Sequence, residues 1–356
     1  MSDISIDEAR RQITVCNACR YCEGFCAVFP AIQRHRQFNL HDVVHLANLC
    51  HNCRACHYSC QYAAPHEFAI NIPATLAEIR VDSWERYATP KFMATAFQRH
   101  AVPIALMLVI AFTFFMLLIG LLPDTKPEAV GFYRYLPHTL MVLVFTPAFL
   151  FPLLTIAISI RRYWIDSGGT RLHTRHWRSS FAEMASMRNL AGGQGQGCNF
   201  EHTDRFSNAR RYLHQFTVCG FLLCFASTSS ATVMHYFFDM PAPYAWYTLP
   251  KLFGVSGGVA LTVGCAGLAV LKLRADTELG AKTVWGAEMA FVLLLGLTGF
   301  TGLVLYALTG TALVGIALAV HLGFVLTLFL LLPYSKMVHG FFRVAALLRE
   351  AQLKES

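Results

Sequence analysis

Eight cysteines fall in two copies of one spacing, C-x2-C-x2-C-x3-C: Cys16, Cys19, Cys22 and Cys26, then Cys50, Cys53, Cys56 and Cys60. Nothing else in the chain limits the fold as tightly. Runs of this kind hold [4Fe–4S] cubes through four thiolates each, three from one run and the fourth from the other. The expected ligand sets are Cys16, Cys19, Cys22 and Cys60 for the first cluster, and Cys50, Cys53, Cys56 and Cys26 for the second. The two runs must then lie side by side, although 23 residues separate Cys26 from Cys50. A disulfide framework is disfavoured because the opening residues, among them Asp3, Asp7 and Glu8, are polar and acidic and unlike a secretory signal. Two zinc sites would not need a tight triplet plus a fourth cysteine twice over. The residue pattern is that of a protein that moves electrons.

Composition says where they go. Of 356 residues, 55% are hydrophobic and only 14% charged, with a mean hydropathy of +0.44. A soluble domain carries about 25% charged residues. The deficit is uneven, since residues 1–100 hold ten Lys and Arg against nine Asp and Glu. A helix crossing a bilayer needs about 20 apolar residues at about 1.5 Å each. Six stretches qualify, at 102–122, 136–160, 212–238, 252–271, 284–308 and 312–332, and Glu288 is the one acid inside any of them. A soluble core could not absorb six such helices. The expected fold is all-α: a helical head with two clusters over residues 1–100, a six-span membrane bundle over 101–340, and a tail over 341–356.

Loop charge orients the bundle. Segment 161–211 carries nine arginines against four acids, whereas 239–250 has no Lys or Arg, and 123–135 balances Lys126 and Arg134 against Asp124 and Glu128. Lys336, Arg343 and Arg349 make the end of the chain basic. All basic segments share one side if both termini are cytoplasmic, which puts the thiolates in a reducing compartment; a multi-pass protein of a bacterial inner membrane is the expectation. Tyr133, Tyr135, Tyr236, Tyr244, Trp246 and Tyr247 fit an aromatic belt at the opposite face.

Within the head, residues 39–49 read as a short helix capped by Asn39, and 73–84 as a second helix with proline in its first turn. No alternating strand pattern appears, which favours an all-helical ferredoxin-like head over the small β-containing one. The proline that often follows the fourth cysteine is missing, since Ala27 follows Cys26 and Gln61 follows Cys60. His35, His41, His45, His51, His57 and His66, with Arg20, Arg34, Arg36 and Arg54, are expected to form a positive surface around the clusters rather than to ligate them. The glycine-rich run 192–198 lacks the Lys-Ser/Thr of a phosphate loop and the βαβ setting of a dinucleotide fingerprint, so it reads as a flexible turn, with Cys198 an ordinary thiol. Nothing in the chain would bind a flavin or nicotinamide, and no nucleic-acid partner is expected.

Ionisable residues within a bilayer are functional suspects. His100, His138, His214, His235, His321 and His339 lie on or beside the spans. A b-type haem bridging two helices needs two neutral imidazoles from opposite sides. His321 and His339 are 18 residues apart, five helical turns, so they share a face unless Pro333 rotates it. The third and sixth spans run antiparallel. His214 can therefore meet His339 near the cytoplasmic side, and His235 can meet either His321 or His138 near the other, which would make two haems. The alternative is that these histidines serve only helix packing.

The whole chain resembles the tricarballylate- and citrate-utilisation B proteins, most specifically through Gly195–Asn199 followed by Arg210-Arg211-Tyr212-Leu213-His214-Gln215-Phe216 and Gly220-Phe221-Leu222-Leu223-Cys224-Phe225-Ala226. The resemblance implies an electron-transfer subunit that reoxidises a cytoplasmic FAD-dependent dehydrogenase of a tricarballylate- or citrate-type acid. Electrons would pass through [4Fe–4S] clusters and b-type haem to membrane quinone. Two other readings remain from the residues alone: a membrane redox sensor without haem, and a heterodisulfide-reductase-like subunit with a different partner.

Overall fold

The computed structural model describes residues 3–120, 131–193, 195–199, 205–276 and 279–355. Asp124, Lys126 and Glu128 of the far loop, residues 121 and 122 of the first predicted span, and Gln194 lie outside them. Thirteen α-helices account for most of the described chain: α1 Asp3–Cys19, α2 Val28–Gln33, α3 Leu40–Leu49, α4 Ala55–Tyr58, α5 Ile72–Tyr87, α6 Lys91–Gly120, α7 His138–Asp166, α8 Thr174–Ser186, α9 Ala209–Phe237, α10 Leu249–Arg274, α11 Trp285–Ala307, α12 Val314–Leu331 and α13 Val338–Leu353. The strands among the described residues are Cys198–Asn199 and Phe206–Ser207, paired antiparallel. The chain is all-helical in class, as its periodicity predicts.

Capping sets the head helices. Asn39 accepts from the Asp42 amide at 3.0 Å and donates its own amide to Asp42 at 2.9 Å, so α3 starts where two otherwise orphaned donors are satisfied. Asn71 caps α5 by accepting from the Ala74 amide at 3.2 Å, with Pro73 in the first turn. The helices then close over Ile13, Ile32, Val43, Leu46, Leu49, Leu76 and Ile79, all fully buried. Polar groups inside this core are paired: Asn48 donates to Ser83 and accepts from the Trp84 indole.

The head does not end at residue 100. Helix α13, which covers the stretch read as a tail, lays Phe342, Ala345, Ala346 and Leu347 into the same core, and α7 adds Ile156 and Tyr163. The Phe342 ring lies 5.3 Å from that of Tyr163, 6.1 Å from Tyr87 and 6.5 Å from Trp84. Glu350 is buried beside Arg34 and 3.6 Å from His45, a further tie between α13 and the head.

Among the described residues six helices are long and apolar enough to cross a membrane, beginning with α6, α7, α9 and α10, then α11 with the turn before it, and α12 running on toward α13. They alternate in direction, so Lys91, Asp166, Ala209, Arg274, Trp285 and Leu331 mark the head end. Leu106, Met107, Ile110, Leu143 and Leu154 are each more than half exposed, an apolar outer surface suited to lipid. Close helix contact depends on small residues: a Cβ on Gly220 would stand 2.4 Å from the Leu261 amide, and one on Gly264 2.7 Å from that of Thr217.

Candidate functional site

The two cysteine runs fold alike. Cys16 and Cys19 end α1, and Arg20 turns the chain back through a left-handed conformation at φ 59°. Arg54 takes the same place in the second run and the same conformation, φ 61°. Non-glycine residues seldom adopt it, and in each run it turns the chain between the second and third thiols. The runs also meet crosswise: Cys60 is an electrostatic neighbour of Cys16 and Cys22, and Cys26 of Cys50 and Cys53. A cavity is lined by Cys26, Cys50, Cys53 and Cys56, walled by Phe25, Val28, Phe29 and Ile72.

Burial pushes the Cys16 and Cys22 thiols up to about 12, and adjacent thiols add to it. Burial likewise raises Cys26, Cys53 and Cys56. Four crowded sulfurs in a poorly solvated pocket become thiolates only if cations enter among them. Donors already face them: the Asn52 amide lies 3.4 Å from the Cys50 sulfur, and Gln61 reaches the Cys19 sulfur at 3.7 Å. Among the described residues no three His, Cys, Asp or Glu side chains converge tightly enough for one metal ion. A cube offers a separate iron to each thiolate, so its ligands stand wider apart, and the donor set fits that group.

Around the second set the charges are positive. Arg80 donates to the Cys50 carbonyl at 2.8 Å, and Arg343 of α13 donates to the same oxygen. Arg54 donates to the Asp276 carbonyl at 2.8 Å, and Arg210 lies within electrostatic reach of Cys53. The glycine-rich loop, read above as a flexible turn, is docked here: Gly193 lies under the Phe25 ring and the Asn199 amide donates to the Cys53 carbonyl at 3.2 Å. Cys198 is buried beside Cys53, and burial raises its thiol to about 12. Its setting is therefore not that of an ordinary surface thiol.

The histidines divide by position. His51 adjoins Cys50, and burial together with Arg343 holds it well below the usual imidazole range. It is an electrostatic neighbour of His214, whose ring centroid lies 5.9 Å from that of His339 at 88°. His339 donates Nδ1–H to the Lys336 carbonyl, which leaves Nε2 as its free donor atom, and the buried Nδ1 of His214 has no partner. Such an outward-facing nitrogen, with the other tied to a carbonyl, is how imidazoles are prepared as metal ligands. His339 is prepared in this way, and with His214 of α9 it could hold a haem.

At the far end His235 pairs with His138, not with His321. The two rings stack at 4.4 Å and 21°, edged by Tyr133 and Tyr236. Stacked faces point neither nitrogen pair at a shared iron, so this pair does not fit a second haem as it stands. His321 instead faces Thr301 at 3.2 Å, in space that Gly302 leaves open. Of the head histidines expected at the surface, His45 is in the core, 3.4 Å from the Tyr163 hydroxyl. Glu288 is buried between Lys272 at 2.6 Å and Lys336 at 2.8 Å, a triad at the head end of α10, α11 and α12.

Sequence reasoning missed Arg80, Arg210, Arg343 and Cys198 as neighbours of the second set. One signal was available for Arg343: it stands four residues after His339, and so on the same helix face.

Comparison with known proteins covers nearly all of the chain. Residues 9–86 match a family described as the citrate utilization protein B Fer4-like domain, and residues 96–356 match citrate utilization protein B. A curated relative, citrate utilization protein B of Escherichia coli, is 42% identical over 347 residues, covering 97% of this chain and 91% of its own. No solved structure matches.

Proposed function

Because the chain belongs to the citrate utilization protein B family and carries its Fer4-like domain, an iron–sulfur electron-transfer role follows, and we propose that it is the membrane subunit taking electrons from a cytoplasmic FAD-dependent dehydrogenase. The partner oxidises a tricarballylate- or citrate-type acid, and the electrons leave into membrane quinone. The observation that carries the reading is the chain of sites from Cys22 through Cys26 and Cys50 to His51, His214 and His339.

Cys16, Cys19, Cys22 and Cys60 would hold one [4Fe–4S] cluster, Cys50, Cys53, Cys56 and Cys26 another, and His214 with His339 a b-type haem, each group supplying a one-electron stop. The first set lies toward solvent, where Tyr21 is 66% exposed and Arg20 and Gln61 are also open, so it is the entry for a docked flavoprotein. The second set lies under Arg343 and the α9–α13 junction. The fatty outer surface and the basic 161–211 segment support an inner-membrane location with the head in the cytoplasm.

The test is an optical spectrum of the detergent-purified protein, oxidised and reduced, with iron, sulfide and haem assays. Sharp b-type bands on reduction over a broad iron–sulfur absorbance are expected. Iron–sulfur absorbance without haem would overturn the conduction pathway and leave the membrane histidines to packing.

A further inference from the structure

The two thiol sets sit in unequal fields. Around Cys16 and Cys22 the charged neighbours are other cysteines, and the Arg20 side chain stands out in solvent, where its charge is screened. The second set has, besides Arg54 of its own run, three guanidiniums that reach it from other helices. Arg80 and Arg343 both donate to the Cys50 carbonyl, and neither makes an ion pair with a carboxylate among the described residues. Arg343 is also within electrostatic reach of Cys26 and Cys53, and Arg210, from the first turn of α9, reaches Cys53. Of the carboxylates in this region, Glu288 is engaged by Lys272 and Lys336, and Asp276 lies beside Arg54, which donates to its backbone carbonyl.

Reduction adds one negative charge to a group that is already anionic. Burial opposes that addition, and fixed positive charge or hydrogen bonds to sulfur favour it. Burial alone would make the inner cluster the harder to reduce. Two guanidiniums on one ligand's carbonyl, Arg80 buried and Arg343 partly so, with a third beside the next ligand, act at short range in a poorly screened interior and reverse that order. The three come from α5, α9 and α13, so head, bundle and final helix each contribute one.

We propose that Arg80, Arg210 and Arg343 raise the potential of the Cys26/Cys50/Cys53/Cys56 cluster above that of the Cys16/Cys19/Cys22/Cys60 cluster, which fixes the direction of electron flow toward His214. The proposal rests on the iron–sulfur reading above and adds the order of potentials to it. Arg80, Arg210 and Arg343 are positioning residues; they touch no iron.

The experiment is a redox titration of the full-length detergent-purified protein followed by low-temperature paramagnetic resonance, with iron and sulfide measured on every sample. Wild type should show two one-electron steps. Arg210→Gln and Arg343→Gln, on separate helices, should each lower the higher potential about tenfold in reduction equilibrium, about 59 mV for one electron. The lower step should stay put, and Arg343→Lys should retain the wild-type value. Potentials unmoved in both Gln variants at full iron content, or a fall confined to the lower step, would overturn the proposal. A wild-type protein without two clusters would overturn the iron–sulfur reading itself.

Discussion

Phe342→Ala tests whether the last helix belongs to the head. The Phe342 side chain is 1% exposed and is enclosed by Trp84, Tyr87 and Tyr163. A buried aromatic removes about 150–250 Å² from water, which at about 25 cal/mol per Å² sets a ceiling of about 4–6 kcal/mol. Measured Phe→Ala losses in cores are about 3–5 kcal/mol, part of it from the cavity left behind. Taking about 4 kcal/mol, and about 2–4 °C per kcal/mol for a domain of 150–250 residues, the midpoint should fall by about 8–16 °C. Phe341 is the matched control: it is next in sequence, 40% exposed, and its ring faces outward. Phe341→Ala should cost no more than about 0.5 kcal/mol. The assay is a thermal scan in detergent at one fixed rate, followed by tryptophan emission, since Trp84 reports from the same core. Equal shifts in the two variants, or a Phe342→Ala shift under about 2 °C, would refute the claim that α13 completes the head core.

Cys22→Ser should cut iron and acid-labile sulfide by about half and loosen the head, because cluster ligation is folding energy in a small core; full iron content would remove Cys22 from its set. His214→Ala should lose haem and keep both clusters, read from the haem-to-iron ratio, and unchanged haem would strike His214 from the axial pair. Glu288→Ala should cost about 3 kcal/mol, the low end for a buried pair, by stranding two half-buried lysines, and Glu288→Ala with Lys336→Met should recover part of it; a neutral single variant would show the triad to be hydrated. The apoprotein should also be pH-sensitive. Cys16 and Cys22 titrate near 12 in the folded chain against 9.0 for a free thiol. Groups raised in this way contribute stability in full below about pH 9 that is lost as pH rises through about 12. Denaturant midpoints of the iron-free protein should therefore fall between those values, and transfer of a preformed cluster near pH 7 should release about four thiol protons per cluster to a pH-stat.

The parts of the fold that rest on local rules were legible in the residues. Six apolar runs long enough to cross a bilayer gave six such helices, and Asn39 started α3 where its side chain can cap. What the sequence did not reveal depends on rotation and approach. A helical pattern over residues 338–353 says that α13 has an apolar face, not that Trp84 and Tyr87 will receive it. The choice of His138 over His321 as the neighbour of His235 turns on how α12 is rotated, and the seat formed by Thr301 and Gly302 is invisible to spacing. The docking of Cys198 and Asn199 against Cys53 was hidden for a related reason. Glycine-rich stretches look flexible in one dimension, whereas here the missing side chains let one backbone lie against another.

The position of α13 has a bearing on biogenesis. The early helices of the head leave the ribosome before the spans, yet their core is closed by α13 residues made after the apolar spans. During synthesis the early helices have no Phe342, and the Cys50 carbonyl lacks one of its two arginines. The pocket lined by Cys26, Cys50, Cys53 and Cys56 therefore reaches its final shape only after α13 is made. If it takes a cluster as proposed, loading would be a late step that follows synthesis of the spans, and a nascent chain stalled before α13 would present an unfinished pocket.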